Sequence, residues 1–183
     1  MTGDAEEQEV SIVSNQARKN IILVGMMGTG KSTAGTLVAE TLGYEFVDLD
    51  HLIVEQEQLT IPEIFKDRGE EYFRQVESAM LQRVLQMEGK VISTGGGSVL
   101  APGNSSLMLT SGFVVTLTAT AEDIISRVGA DANRPLLAGN AEERVKRLLE
   151  QRKNAYLFAH CAVDTSGLSA AQVSQHILMH YRG

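Results

Sequence analysis

Gly25-Met26-Met27-Gly28-Thr29-Gly30-Lys31-Ser32-Thr33 is the stretch on which the fold turns. It contains Gly-x-x-x-x-Gly-Lys-Ser in full. Ile21-Ile22-Leu23-Val24, an apolar run of strand type, precedes it, and Ala34 to Leu42, a stretch of helix type, follows it. In that setting the glycines let backbone N–H groups turn inward around phosphates, and the new helix points its positive end at the same anion. Lys31 can reach the β- and γ-phosphates, and the Ser32 hydroxyl can ligate Mg²⁺. A glycine-rich turn with a chance lysine would need neither flank. The chain is therefore expected to bind a nucleoside triphosphate through Gly28, Thr29, Gly30, Lys31, Ser32 and Thr33.

Working outward, strand and helix patterns alternate along the chain without a repeat. Strands are expected at about 20–24, 45–49, 90–93, 113–117 and 161–164. The first helix should end near Gly43, a residue suited to a left-handed C-terminal position. A second helix starts at about His51. Thr60-Ile61-Pro62-Glu63 has the form of a capping box with proline in the first turn. Gly69 should break that short helix from a longer one, whose Phe73, Val76, Met80 and Val84 form an inward stripe. Asn104 is expected to cap a short helix ending at Gly112. A helix to about Val128, a polar segment to about Asn140, a long helix from Ala141 to Phe158 and a closing helix from Ser169 complete the pattern. Five apolar strands separated by helices imply an α/β protein with a parallel sheet covered on both faces. Ligands in such sheets bind outside the carboxyl ends of the strands, so the residues just after each strand carry the chemistry.

Bulk properties narrow the function. At 183 residues with 43% hydrophobic content, the chain suits one domain with a real core. A net charge of −7 argues against a nucleic-acid or anionic-membrane surface. Its single cysteine, Cys161, excludes an internal disulfide and a multi-Cys metal site, and its flanks suggest a buried strand residue. No apolar run reaches the length of a membrane span. Residues 1–19 are acidic and lack the pattern of a secretory signal, so they are expected to be a disordered arm before one domain at 20–183. A cytoplasmic location follows as the default.

The second strand ends Phe46-Val47-Asp48-Leu49-Asp50. Two carboxylates two residues apart on a strand point to one face. One could serve the Mg²⁺ shell, and the other could accept the proton of an attacking hydroxyl. A water-exposed strand end would look the same. Arg74 and Glu77 lie three apart on a helix and can pair; that spacing equally fits an ordinary surface ion pair. Thr94-Gly95-Gly96-Gly97-Ser98 puts three glycines where side chains would crowd a pocket. Arg134, in the glycine-bounded segment about 128–140, suits an arginine finger on a closing lid, although a solvated loop arginine would also read this way.

Together these motifs resemble shikimate kinase, over nearly the whole chain from about Asn20 to about Ser169. The resemblance is carried by Gly-Met-Met-Gly-Thr-Gly-Lys-Ser-Thr, Phe-Val-Asp-Leu-Asp, Phe-Arg-x-x-Glu at 73–77, Thr-Gly-Gly-Gly at 94–97, Asn-Arg-Pro-Leu-Leu at 133–137 and Val-Asp-Thr at 163–165. It implies a three-layer P-loop NTPase fold, with strand order 2-3-1-4-5, a mobile lid and acceptor-binding helices at about 51–86. It implies that ATP, with Mg²⁺, phosphorylates the 3-hydroxyl of shikimate on the path to aromatic amino acids. Lys31 would contact the transferred phosphoryl, Ser32 and Asp48 would serve Mg²⁺, and Asp50 would bind ring hydroxyls and act as base. Arg74, held by Glu77, would grip the shikimate carboxylate. Gly95, Gly96 and Gly97 would line the acceptor pocket. Arg134 would contact the phosphates and Arg127 would lie over the adenine.

Two departures stand out. The family's Arg-x-Pro-Leu-Tyr reads Arg152-Lys153-Asn154-Ala155-Tyr156. Arg152 is carried over as a second acceptor-binding arginine, and without proline the helix is expected to run on through Asn154. Ser98 follows the triple glycine where alanine is common. Two arginines and an aspartate suit a small anionic polyol better than a nucleobase. A kinase of another hydroxy acid such as gluconate, or a non-catalytic nucleotide-binding protein, is the alternative. No nucleic acid or membrane partner is expected, and a monomer is.

Overall fold

The computed structural model describes residues 19–129 and 141–182. Five parallel strands, β1 (Asn20–Val24), β2 (Glu45–Asp48), β3 (Lys90–Ser93), β4 (Gly112–Thr118) and β5 (Cys161–Asp164), form one sheet in the order β2-β3-β1-β4-β5. The helices are α1 (Lys31–Leu42), α2 (Leu49–Glu57), α3 (Ile61–Leu85), α4 (Asn104–Ser111), α5 (Ala121–Gly129), α6 (Ala141–Arg152) and α7 (Ala170–His180).

β1 is central and buried throughout, and its alternation divides the core. Ile22 and Val24 face the larger apolar cluster, with residues of α2, α3, α4, α5 and α6; Ile21 and Leu23 face the smaller one, with residues of α1 and α7. Such a strand reads as a continuous apolar run because both its faces are covered. Each fully buried Ile or Leu contributes about 1.5–3 kcal/mol. The polar end of β1 is satisfied too: buried Asn20 donates from Nδ2 to Met87 O at 2.6 Å and accepts from Lys90 N at 2.9 Å, fixing β1 beside β3.

Helix boundaries follow local chemistry. Gly43 ends α1 in the left-handed conformation. Thr60 and Glu63 form the expected capping box at the start of α3. Gly69 leaves helical geometry inside α3, at φ 82° and ψ 169°, as its sequence position foretold. Ser169 and Gln172 cap α7 by the same reciprocal device.

Three boundary expectations and one of burial are corrected. β2 stops at Asp48, and α2 starts at once because the Asp48 carboxylate accepts from Asp50 N (3.1 Å) and His51 N (3.3 Å). Asp50 therefore stands in a helix turn, and strand alternation does not explain its direction. α4 is preceded by Gly103, with φ 84°, and Asn104 uses its side chain elsewhere. α6 ends at Arg152 and does not continue to Phe158. Turns replace it, held from outside by Thr116 Oγ1 donating to Tyr156 O at 2.8 Å and by the Tyr156 hydroxyl. Proline is absent there, yet tertiary hydrogen bonds still stop the helix. Finally, Cys161 is half-buried at the first position of β5, partly packed on the smaller cluster, and burial pushes its thiol pKa up.

No helix among the described residues is long and apolar enough to cross a membrane. The acidic arm (all but Lys19), Arg134 and most of the expected lid lie outside the described residues.

Candidate active site

The phosphate loop joins β1 to α1, with Gly30 at the helix entry in the left-handed conformation, φ 88°. Lys31 is buried, and its ammonium donates to Gly25 O (2.9 Å) and Met26 O (2.8 Å), which holds it at the lip of the loop. Thr29, also buried, donates from Oγ1 to Met26 O at 2.8 Å and closes the turn. Ser32 and Thr33 are exposed in the first turn of α1. Ser32 Oγ donates to Asp48 Oδ2 at 2.8 Å. A hydroxyl and a carboxylate, both hard oxygen donors, thus meet beside the loop, which fits the sparse protein ligation of Mg²⁺. A dedicated cluster of three or more metal-ligating side chains is absent among the described residues, and Mg²⁺ bound with phosphates needs none.

Arg127, from α5, reaches the loop from the other side. It donates to Gly28 O (3.2 Å), Thr165 Oγ1 (3.0 Å) and Thr165 O (3.0 Å), spanning the loop and the end of β5. A pocket of about 410 Å³ brings Gly28, Lys31, Ser32, Asp48, Asp50, Gly96 and Arg127 together. A larger cavity of about 560 Å³ lies between α6 and the ends of β4 and β5 and includes Arg152 and Tyr156. Lys31 and both aspartates line the smaller one, so the chemistry belongs there.

The triple glycine is anchored to β1. Thr94 donates to Leu23 O from both its N (3.1 Å) and its Oγ1 (3.0 Å), extending the β1–β3 contact past the ladder. Each glycine then meets a different partner. A Cβ on Gly95 would stand 2.6 Å from Glu77 Oε1 and 2.8 Å from Asp50 Oδ1. One on Gly96 would face the phosphate loop, 3.4 Å from Gly25 O, and Arg152 Nη1 at 3.6 Å. One on Gly97 would stand 2.4 Å from Arg74 Nη2. Asp50, Arg74 and Arg152 thus converge on three successive residues that have no side chain.

Arg74 donates to Glu77 Oε2 at 2.7 Å and to Glu70 Oε1 at 3.3 Å. Glu77 is wholly buried, so this pair is no surface ornament. Removing Arg74 would leave the buried Glu77 carboxylate without its cation. Arg152 Nη1 donates to Gly96 O at 3.3 Å, and the Tyr156 hydroxyl donates to the same oxygen at 2.6 Å. Burial pushes the Tyr156 pKa up, which keeps that donor protonated. The structure thus gathers Gly28, Gly30, Lys31, Ser32, Thr33, Asp48, Asp50, Gly96 and Arg127 around one pocket, sets Arg74 against Gly97, and leaves Arg152 on the larger cavity, touching Gly96. Sequence reasoning gave no role to Tyr156, Thr165, Ser93 or Ser98. Tyr156 and Thr165 lay inside quoted stretches. Ser93, whose Oγ is 3.3 Å from Ser32 Oγ, had only its place at a strand end as a signal.

Gly97→Ala tests the crowding directly. The added methyl must displace the Arg74 guanidinium, so the acceptor KM should rise about tenfold or more with the ATP KM unchanged, as measured by ADP release.

The loop, the sheet order and this two-sided site define a P-loop kinase. A shikimate kinase family profile matches residues 27–182. The shikimate kinase of Geobacter sulfurreducens is 45% identical over 165 residues, covering 90% of this chain and 91% of that one. That of Geobacter metallireducens is 42% identical, covering 90% and 93%. Among solved structures, shikimate kinase from Acinetobacter baumannii in complex with shikimate superimposes with a TM-score of 0.85 at 38% identity, covering 88% of this chain and 92% of that one. The chain belongs to the shikimate kinase family.

Proposed function

We propose that the chain transfers the γ-phosphoryl group of ATP to the 3-hydroxyl of shikimate, releasing ADP and shikimate 3-phosphate. The observation that carries this reading is the convergence of Asp50, Arg74 and Arg152 on the triple glycine; of these, Asp50 and Gly96 line the same pocket as Lys31. Lys31 and the loop N–H groups bind the phosphates, and the fixed Lys31 ammonium stabilises the charge that spreads over the transferred group. Arg127 lies against the nucleoside. Ser32 and Asp48 would hold Mg²⁺, which supplies charge neutralisation at the phosphates when bound. Arg74 and Arg152 take the acceptor carboxylate, in the planar two-donor manner guanidinium allows. Asp50 accepts the hydrogen bond of the reacting hydroxyl and takes its proton as the new P–O bond forms. Gly95, Gly96 and Gly97 let the ring approach the backbone. Arg134 is the lid residue proposed to reach the phosphates.

The same proposal takes residues 20–183 as one kinase domain that acts as a monomer in the cytoplasm without nucleic acid or membrane partners. Elution as a single copy on size exclusion tests the monomer.

The function is tested by ADP release with ATP and Mg²⁺ across shikimate, quinate, gluconate and nucleoside monophosphates. Shikimate should exceed the others by orders of magnitude; equal rates, or none above background hydrolysis, would overturn the assignment. Arg74→Ala should raise the shikimate KM about a hundredfold, with a much smaller change in ATP KM. An unchanged shikimate KM would remove Arg74 from its role.

A further inference from the structure

Ser98 is fully buried, directly after the triple glycine, and its hydroxyl donates to Glu77 Oε1 at 2.5 Å. The other oxygen of that carboxylate, Oε2, accepts from Arg74 Nη1 at 2.7 Å. The buried Glu77 side chain is thus held at both ends, by a hydroxyl on one and a guanidinium on the other. Ser98 itself is fixed through its backbone. Its N donates to Gly95 O at 3.1 Å, and its carbonyl accepts from Asn104 Nδ2 at 2.8 Å. Asn104 Nδ2 also lies 3.1 Å from Ser78 Oγ, on the residue of α3 next to Glu77. A closed ring of hydrogen bonds therefore ties α3, the triple glycine and α4.

Charge gives that ring a direction. A Cβ on Gly95 would meet Glu77 Oε1 at 2.6 Å, Asp50 Oδ1 at 2.8 Å and Ser98 Oγ at 3.3 Å, so three oxygens crowd one point. Two carboxylates facing the same point repel, and a Glu side chain free to turn would swing away from Asp50. The Ser98 proton on Oε1 opposes that motion and leaves Oε2 aimed at Arg74.

We propose that Ser98 is a positioning residue for the acceptor: its hydroxyl sets the Glu77 carboxylate and, through it, aims the Arg74 guanidinium at the carboxylate of the substrate. The inference rests on the reading of the acceptor side given above. Ser98 touches no reacting atom. Its effect belongs in acceptor binding, and the phosphoryl-transfer step with bound substrates should be left nearly intact.

The test is steady-state kinetics and thermal melting of the full chain with ATP, Mg²⁺ and shikimate. Ser98→Ala should raise the shikimate KM roughly tenfold, the scale of one hydrogen bond to a charged group, with kcat and ATP KM within about twofold. Ser98→Cys, which keeps a weaker donor, should fall between it and the parent. In a Glu77→Met background, which leaves Ser98 no oxygen to hold, Ser98→Ala should add almost nothing, because Ser98 acts through that carboxylate. An unchanged shikimate KM, additive effects in the cycle, or a lowered melting point with kcat and both KM values worsened together would each overturn the inference alone. No turnover of shikimate by the parent would overturn the proposed function, and this inference with it.

Discussion

Lys31→Met should lower kcat about a thousandfold, the largest effect of a single substitution at the site. Lys31 is buried, and two carbonyls of the phosphate loop, Gly25 O and Met26 O, fix its ammonium in place. A cation held there before the reaction starts needs no reorganisation when charge spreads over the transferred phosphoryl. It also acts where water screens it poorly, so it is worth more than an exposed lysine. A thousandfold loss corresponds to about 4 kcal/mol of transition-state stabilisation, within reach of one preorganised charge. Methionine keeps the apolar stem and removes only the charge, so the melting point should shift by a few degrees at most. ATP affinity should fall less than kcat, because the loop N–H groups and the end of α1 remain. Coupled ADP release at saturating ATP gives kcat, and calorimetry gives the ATP affinity. A kcat within tenfold of the parent would remove Lys31 from the transfer step.

The donor half of this site was legible because its signal is local. Gly30-Lys31-Ser32, an apolar strand before it and a helix after it are contiguous, so the motif itself dictates the backbone. β1 and β3 occupy the expected 20–24 and 90–93 around their apolar centres, and the Thr60–Glu63 box starts α3 where its two side chains can reciprocate. The acceptor half is assembled across the sheet, and there spacing alone was ambiguous. Arg74 and Glu77 fit a surface pair until burial is known; Glu77 proves fully enclosed. The same non-local effects explain the misread boundaries. Losing proline at 154 removes a barrier to helix, but the hydroxyls of Thr116 and Tyr156 bind the chain into turns. Asp48 and Asp50 read as neighbours on one face of a strand running to 49, yet the strand stops at Asp48, whose side chain caps the next helix and sets Asp50 in its first turn. In each case a side chain distant in sequence, or one serving the backbone, overrides propensity.

Asp50→Asn should lower kcat about a hundredfold or more with ATP affinity close to that of the parent. Asp50 lies in the first turn of α2, half-buried, with its backbone N held by Asp48 Oδ1 at 3.1 Å. That bond comes from the backbone, so asparagine should keep the position of residue 50. What asparagine loses is the ability to take a proton. Its amide oxygen can still accept a hydrogen bond from the acceptor hydroxyl, so the substitution separates proton transfer from orientation. Phosphoryl transfer through a loose transition state demands little of a base, so orientation alone would leave kcat within tenfold. A loss of a hundredfold or more would place the proton on Asp50 during transfer. Stability supplies an independent check. Asp50 Oδ1 and Glu77 Oε1 crowd the same point beside Gly95, and neutralising one carboxylate relieves their repulsion. The Asp50→Asn chain should therefore melt no lower than the parent while working far more slowly, as expected where a charge is retained for function at a cost in stability. A lower melting point together with lost ATP binding would instead make Asp50 a structural support of the phosphate loop, and the catalytic assignment would fall.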